Sequence, residues 1–130
     1  ELLDRHDVVI APLVGPEVIT GSTRMKAGTA TKLVLNTITT GAMVRLGKVY
    51  GNLMVDLQVT CEKLQDRGER MVSETLGLER AAAAVLLDRA HGRVKVALVM
   101  GCLDVDRDNA ERRLEDASGA LVTVLGDLGR

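Results

Sequence analysis

One apolar run near the start of the chain limits the folds that this sequence can adopt. Residues 8–14, VVIAPLV, are almost continuously apolar and are followed directly by Gly15 and Pro16. Such a run is typical of a strand buried on both faces of a parallel sheet. The later segments have the apolar spacing of helices. We therefore expect a mostly helical α/β fragment whose one strand pairs with strands upstream of Glu1 or in another chain.

The segment at residues 21–36, GSTRMKAGTATKLVLN, joins a Gly-Ser-Thr turn to a helical pattern. Arg24 and Lys26 fall in the expected first helical turn, where the partial positive charge of the helix N-terminus disfavours cations. An anion would resolve this conflict, because backbone N–H groups, the hydroxyls of Ser22 and Thr23 and an ammonium group suit a phosphate. The alternative is an ordinary N-cap with cations that extend to solvent. Spacing alone does not decide between the two.

The distribution of charge is consistent with a local anion site. Residues 18–55 contain no Asp or Glu, although the chain as a whole has a net charge of −1. The cations in that stretch are Arg24, Lys26, Lys32, Arg45 and Lys48. Because the chain has no overall basic excess and Tyr50 is its single aromatic residue, we expect no nucleic-acid partner.

Several other classes of protein are disfavoured by the sequence. Cys61 and Cys102 are too few for a disulfide framework, and no apolar run approaches the ~20 residues of a membrane span. We predict a soluble, cytoplasmic protein without a membrane partner. The isolated His6 and His91 have no ligands at metal-binding spacing, so we expect no metal site. Because the sequence begins at Glu1 rather than Met, we expect a fragment or a processed product.

The periodicity predicts a series of helices in two domains, residues 1–77 and 78–130. We expect a long, buried helix over residues 22–46. An amphipathic helix over residues 52–76 would bury a stripe that includes Cys61. The second domain holds an internal repeat, in which a helix ends at Gly and another apolar helix follows. Its helices are predicted near residues 79–90, 93–103, 107–117 and 120–127.

Two further groups of charged residues are candidates for function. Glu17 lies in the loop after the predicted strand, where α/β sheets bind ligands, and is either an acid/base group or, as we favour, a solvated carboxylate. Lys63 and Arg67 recur on one face of the second long helix, where a solvated face is the default. An Asp66–Arg70 pair would neutralise part of that face. Together with the basic first segment, Lys63 and Arg67 could reach a shared anion.

Two stretches carry a resemblance to a known family. They are VGPEVITGSTRMKAGTATKLVLN at residues 14–36 and MVRLGKVYGNLMVDLQVTCEKL at residues 43–64. Within a match over about residues 7–67, they resemble the C-terminal half of N-acetylmuramic acid 6-phosphate etherases, which are related to the glucokinase regulatory protein. Residues 78–130 are similar in layout to ubiquitin-associated (UBA-like) helical modules. Cys61 departs from the family pattern, which often has Asn there.

The resemblance implies a fold, a reaction and an assembly. The fold would be a sugar isomerase (SIS) domain, a parallel sheet with helices on both faces, in a cytoplasmic homodimer that needs no metal or nucleotide cofactor. The reaction is that of a lyase, which removes D-lactate from the sugar phosphate and leaves N-acetylglucosamine 6-phosphate during cell-wall sugar recycling. A non-catalytic, sugar-phosphate-binding regulator is the alternative, and a helical interaction module is a third hypothesis.

The resemblance also assigns candidate site residues. The substrate-binding positions would be Ser22, Thr23 and Lys26 at the start of the helix. By similarity to the regulator's sugar-phosphate site, Lys63 and Arg67 would join them. No catalytic residue is assigned, because the family's catalytic glutamates lie in its N-terminal half. We therefore expect this chain to be inactive by itself.

Overall fold

The computed structural model describes residues 7–127, and the chain divides into two compact units, Glu1–Ala42 and Met43–Arg130. His6 lies outside the described residues. The elements are α1 (Lys26–Arg45), β1 (Val49–Tyr50), β2 (Leu53–Met54), α2 (Glu62–Leu76), α3 (Arg80–Arg89), α4 (Val94–Leu103), α5 (Arg107–Asp116) and α6 (Leu121–Leu125). The chain is thus mostly helical with a small antiparallel sheet, as expected for part of an α/β domain.

The strand predicted at residues 8–14 is wrong for this chain. The segment has no regular secondary structure, and all its side chains except the half-buried Val14 are exposed, with Val8 at 76% and Leu13 at 100% of their accessible surface. A strand needs partners for its backbone N–H and C=O groups. In the described part of the chain, the sheet consists of β1 and β2 alone.

The first long helix forms, but its predicted burial is wrong. α1 begins at Lys26 rather than at residue 22, and all of its residues are exposed or half-buried. Leu33 and Leu35 are 61% and 57% exposed. A helix that is apolar on most sides needs packing partners around it. Among residues 7–42 no second helix or strand is present to supply them.

A hairpin and the non-helical segment that follows it replace residues 52–61 of the predicted second helix. Tyr50 pairs with Leu53, so that Gly51 and Asn52 form a two-residue turn. The φ angle of Gly51 is +57°, a conformation that such turns require and that Gly adopts without steric cost. α2 therefore starts only at Glu62, and Cys61 is an exposed residue at its N-cap position. The prediction that Cys61 is buried is wrong.

The four helices predicted after residue 78 are confirmed within two residues at every boundary. The repeat is also visible in the backbone, because His91-Gly92 and Ser118-Gly119 both have positive φ angles between paired helices. α4 lies at the centre of the second unit and packs against α2, α3, α5 and α6. Its buried residues are Val94, Val96, Ala97, Leu98, Val99 and Met100.

The predicted boundary between residues 77 and 78 does not divide the core of this chain. α2 packs against both α3 and α4. The packing is close, because a Cβ atom added to Gly68 would lie 2.9 Å from Cδ2 of Leu87. Residues on both sides of the boundary therefore share one core. The division into two domains stays a prediction about the organisation of a longer protein.

An acidic residue links the hairpin region to α4. The carboxylate of Asp56 accepts a hydrogen bond from Nζ of Lys48 and forms an ion pair at 3.1 Å with Nζ of Lys95. Lys95 also donates to the backbone oxygen of Gly119 at 2.9 Å. The hydrogen bond from Lys48, followed by that from Lys95, lowers the pKa of Asp56 below its usual value. The two lysines thus favour the ionised carboxyl in the folded chain.

This ion-pair cluster predicts a dependence of stability on pH. Since the pKa of Asp56 is lower in the folded state, its stabilisation is complete above about pH 4 and is lost as the pH falls through the folded pKa. We expect Asp56→Asn to remove about 1 kcal/mol or less at neutral pH, because the group is partly exposed. Urea unfolding at several pH values measures this effect. The control Asp88→Asn changes an exposed residue that forms no ion pair with the described residues, and an equal effect there would contradict the assignment.

Candidate functional site

The candidate phosphate site lies in the first unit, in the loop at residues 15–25 that leads into α1. Gly15 and Gly21 have φ angles of +68° and +83°, which disfavour residues with a side chain. No described atom lies within 4 Å of a Cβ added at either position, so the requirement is conformational. Between them, the chain turns where the N–H group of Ser22 donates to the oxygen of Ile19 at 3.1 Å. The loop therefore folds back towards the helix.

Glu17 supplies an anion to the N-terminus of α1. Its carboxylate accepts hydrogen bonds from the backbone N–H groups of Lys26 at 2.9 Å and Ala27 at 3.1 Å. The bond from Lys26, followed by that from Ala27, lowers the pKa of Glu17. A negative charge at this end of a helix is favourable. Glu17 is therefore a helix cap rather than the free loop carboxylate that we expected, and its lowered pKa does not suit proton transfer near neutral pH.

Lys26, the first residue of α1, is held by the same loop. Its Nζ atom donates to the backbone oxygen of Pro16 at 2.8 Å. An ammonium group has three N–H donors, so two remain for a ligand. Lys26 also borders a shallow depression of about 530 Å³, whose other lining residues are Val18, Met25, Thr29, Ala30 and Leu33. Lys26 is thus anchored by the loop instead of simply extending into solvent.

The two predicted hydroxyl groups lie on the turn just before α1. Oγ of Ser22 accepts a 3.4 Å hydrogen bond from the N–H group of Arg24, which leaves the hydroxyl proton of Ser22 free to donate. Thr23 is exposed, and its side chain makes no hydrogen bond to the described residues. Neither hydroxyl caps α1, because Glu17 does so. Both hydroxyls can donate to a ligand.

Lys63 and Arg67 lie on α2, in the second unit, and both are exposed. Neither forms an ion pair with residues 7–127, whereas the predicted pair of Asp66 and Arg70 is present at 3.1 Å. Sequence reasoning missed Arg80, which binds Asp66 and, at 3.0 Å, Glu69. The participation of Lys63 and Arg67 in one site with Lys26 stays a prediction.

Neither a metal-binding cluster nor a membrane-spanning helix is present among the described residues. The described residues contain no group of three or more His, Cys, Asp or Glu side chains that could hold a metal ion. The ring nitrogens of His91 contact Nη1 of Arg107 at 2.8 and 2.9 Å. Of the helices between residues 7 and 127, none has the length and apolar character needed to cross a membrane.

Comparison with known proteins gives several close relatives, although no family model matches the chain. A protein of Salinibacter ruber is 61% identical over 113 residues, which cover 87% of this chain and 36% of the relative. A protein of Gloeobacter violaceus is 52% identical over 128 residues, covering 98% and 42% of the two chains. A protein of Symbiobacterium thermophilum is 63% identical over 93 residues, covering 72% and 31%.

All three relatives are named as etherases, so etherases are the class of protein that this chain resembles. In particular, each is an N-acetylmuramic acid 6-phosphate etherase, and this chain matches a part of that enzyme. The family resemblance predicted from the sequence is confirmed. The chain spans between 31% and 42% of the length of these relatives. None of the three is named as a regulator, so the alternative function gains no support.

Proposed function

We propose that this chain is part of a lyase that cleaves the D-lactyl ether of N-acetylmuramic acid 6-phosphate. The products would be D-lactate and N-acetylglucosamine 6-phosphate, and the role would be the recycling of cell-wall sugars in the cytoplasm. The observation that carries this proposal is the 61% identity to an etherase over 87% of the chain. We propose that the reaction needs no metal or nucleotide cofactor.

The contribution of this chain is to bind the phosphate of the sugar. The hydroxyl protons of Ser22 and Thr23 and the two free donors of Lys26 are the groups that would contact the phosphate oxygens. Bonds of this kind to a charged ligand are shorter and stronger than neutral ones. Lys63 and Arg67 are proposed as a second pair of contacts. Proton abstraction is not assigned to this chain, and the lowered pKa of Glu17 argues against a catalytic role for it.

The exposed apolar side chains of the first unit support a SIS-type fold for the longer protein. Val8, Leu13, Leu33 and Ile38 are all more than half exposed. Burial of such side chains stabilises a fold by roughly 1.5–3 kcal/mol each. We propose that strands outside this sequence pair with residues 8–14 and cover α1. A homodimer and a UBA-like arrangement of the later helices are further parts of this proposal.

The reaction provides the test of the proposed function. A protein of full etherase length that carries this sequence is expected to release one D-lactate for each N-acetylmuramic acid 6-phosphate consumed, measured with a D-lactate dehydrogenase assay. The 130-residue chain alone is expected to release none. A folded full-length protein that bound the sugar phosphate but released no lactate would contradict the lyase and favour the regulator.

A further inference from the structure

We propose that Glu17 is a positioning residue of the sugar-phosphate site, which anchors the loop at residues 15–25 to the first turn of α1. This proposal rests on the proposed function, because it concerns how that site is held in shape. Glu17 itself would not touch the ligand. It would act through the backbone of Lys26 and Ala27 and thereby fix the side chains that do bind.

Three hydrogen bonds connect the loop and the helix, and in each of them α1 supplies the donor and the loop supplies the acceptor. The Glu17 carboxylate accepts from the N–H groups of Lys26 and Ala27, and the Lys26 ammonium donates to the oxygen of Pro16. These contacts join residues that are nine or ten positions apart in the chain. The positive φ angles of Gly15 and Gly21 allow the intervening chain to turn back. Loss of the carboxylate would therefore remove the hydrogen bonds that hold the loop carrying Ser22 and Thr23 next to Lys26.

The contacts also define which groups are left for a phosphate. The N–H groups of Lys26 and Ala27 already have an anionic partner in Glu17. A ligand phosphate would consequently bind to side-chain donors and not to those two backbone groups. Because the pKa of Glu17 is lowered by these same bonds, the carboxylate stays ionised at neutral pH and keeps this role.

The test compares three variants of the full-length protein. Glu17→Ala removes the anchor, whereas Glu17→Gln keeps one acceptor oxygen and removes the charge. Glu79→Ala is the matched control, because Glu79 is the N-cap residue of α3 but its side chain makes no capping hydrogen bond. The measurements are amide hydrogen exchange at Lys26 and Ala27, the Kd for N-acetylglucosamine 6-phosphate, and the pH profile of lactate release.

We expect Glu17→Ala to accelerate exchange at Lys26 and Ala27 and to raise the Kd, each on the order of tenfold. Glu17→Gln should recover part of both losses, with the pH profile unchanged, and Glu79→Ala should match the wild type. Loss of the acid limb of the pH profile in Glu17→Gln would assign proton transfer to Glu17 and overturn the proposal. Faster exchange with an unchanged Kd would also overturn it. A wild-type protein that binds no sugar phosphate would instead refute the proposed function, while the exchange data would still report on the anchor.

Discussion

Leu87→Ala is expected to lower the free energy of unfolding of the second unit by roughly 2–5 kcal/mol. Leu87 lies on α3 and has no accessible surface. Its Cδ2 atom packs directly over Gly68 of α2, where a Cβ atom would approach to 2.9 Å. Truncation would remove apolar contacts and leave a cavity between helices that are already closely packed. Of the stability changes that we predict, this is the largest.

The matched control for this prediction is Val85→Ala on the same helix. The side chain of Val85 is 63% exposed, so its truncation should change the free energy of unfolding by only about 0.5 kcal/mol or less. Urea unfolding followed by circular dichroism measures both variants under the same conditions. Equal effects of the two substitutions would show that α3 does not present Leu87 to the core.

Lys26→Ala is expected to weaken the binding of N-acetylglucosamine 6-phosphate by about 1.5–3 kcal/mol, or roughly 10- to 150-fold. The reason is the loss of charge-assisted hydrogen bonds to the phosphate. The Tm should change little, because the bond from Lys26 to Pro16 is exposed to solvent. Isothermal titration calorimetry on the full-length protein gives the Kd, and a thermal scan gives the Tm.

Lys32→Ala is the control for this second prediction. Lys32 is an exposed cation on α1 that makes no ion pair or side-chain hydrogen bond with the part of the chain that the structure describes. Its removal tests whether the general positive charge of the region, rather than one ammonium group, attracts the ligand. Similar losses of affinity in both variants would argue for that general effect. If Lys26→Ala bound N-acetylglucosamine 6-phosphate with unchanged affinity, Lys26 would have only a structural role.

The helices after residue 78 were predictable because their signals are local. Gly92 and Gly119 lie three residues after the last residues of α3 and α5, and both have positive φ angles, which favour Gly. Asp106 caps α5 by accepting from the N–H group of Asn109 at 2.8 Å. Each of these signals lies within a few residues of the boundary that it sets. The family was predictable for a different reason, since residues 14–36 form a specific sequence pattern.

The features that were not predicted depend on strand pairing and on turns, which the spacing of apolar residues does not reveal. Residues 8–14 have the composition of a buried strand, but no strand pairs with them among the described residues. The Gly51-Asn52 turn was overlooked because Leu53 and Leu57 also fit helical spacing. A closer examination of Gly followed by Asn between apolar residues would have indicated the hairpin.

The sequence predicted the helix cap formed by Glu17 only in part. One of the two interpretations of the sequence was that an anion completes the cationic N-terminus of α1, and in the structure Glu17 supplies an anion from within the chain. Glu17 is nine positions before Lys26, beyond the reach of the usual capping patterns. The available signal was the lack of any acidic residue at positions 18–55, which leaves Glu17 as the nearest carboxylate preceding the helix.

We propose that the start of α1 binds the phosphate of a sugar. The most direct test measures the Kd values of N-acetylglucosamine 6-phosphate and N-acetylglucosamine for the full-length wild-type protein and for Lys26→Ala. We expect the wild type to prefer the phosphorylated sugar and Lys26→Ala to reduce this preference at least about tenfold. The same preference in both proteins would show that Lys26 does not contact the phosphate, and would contradict the account.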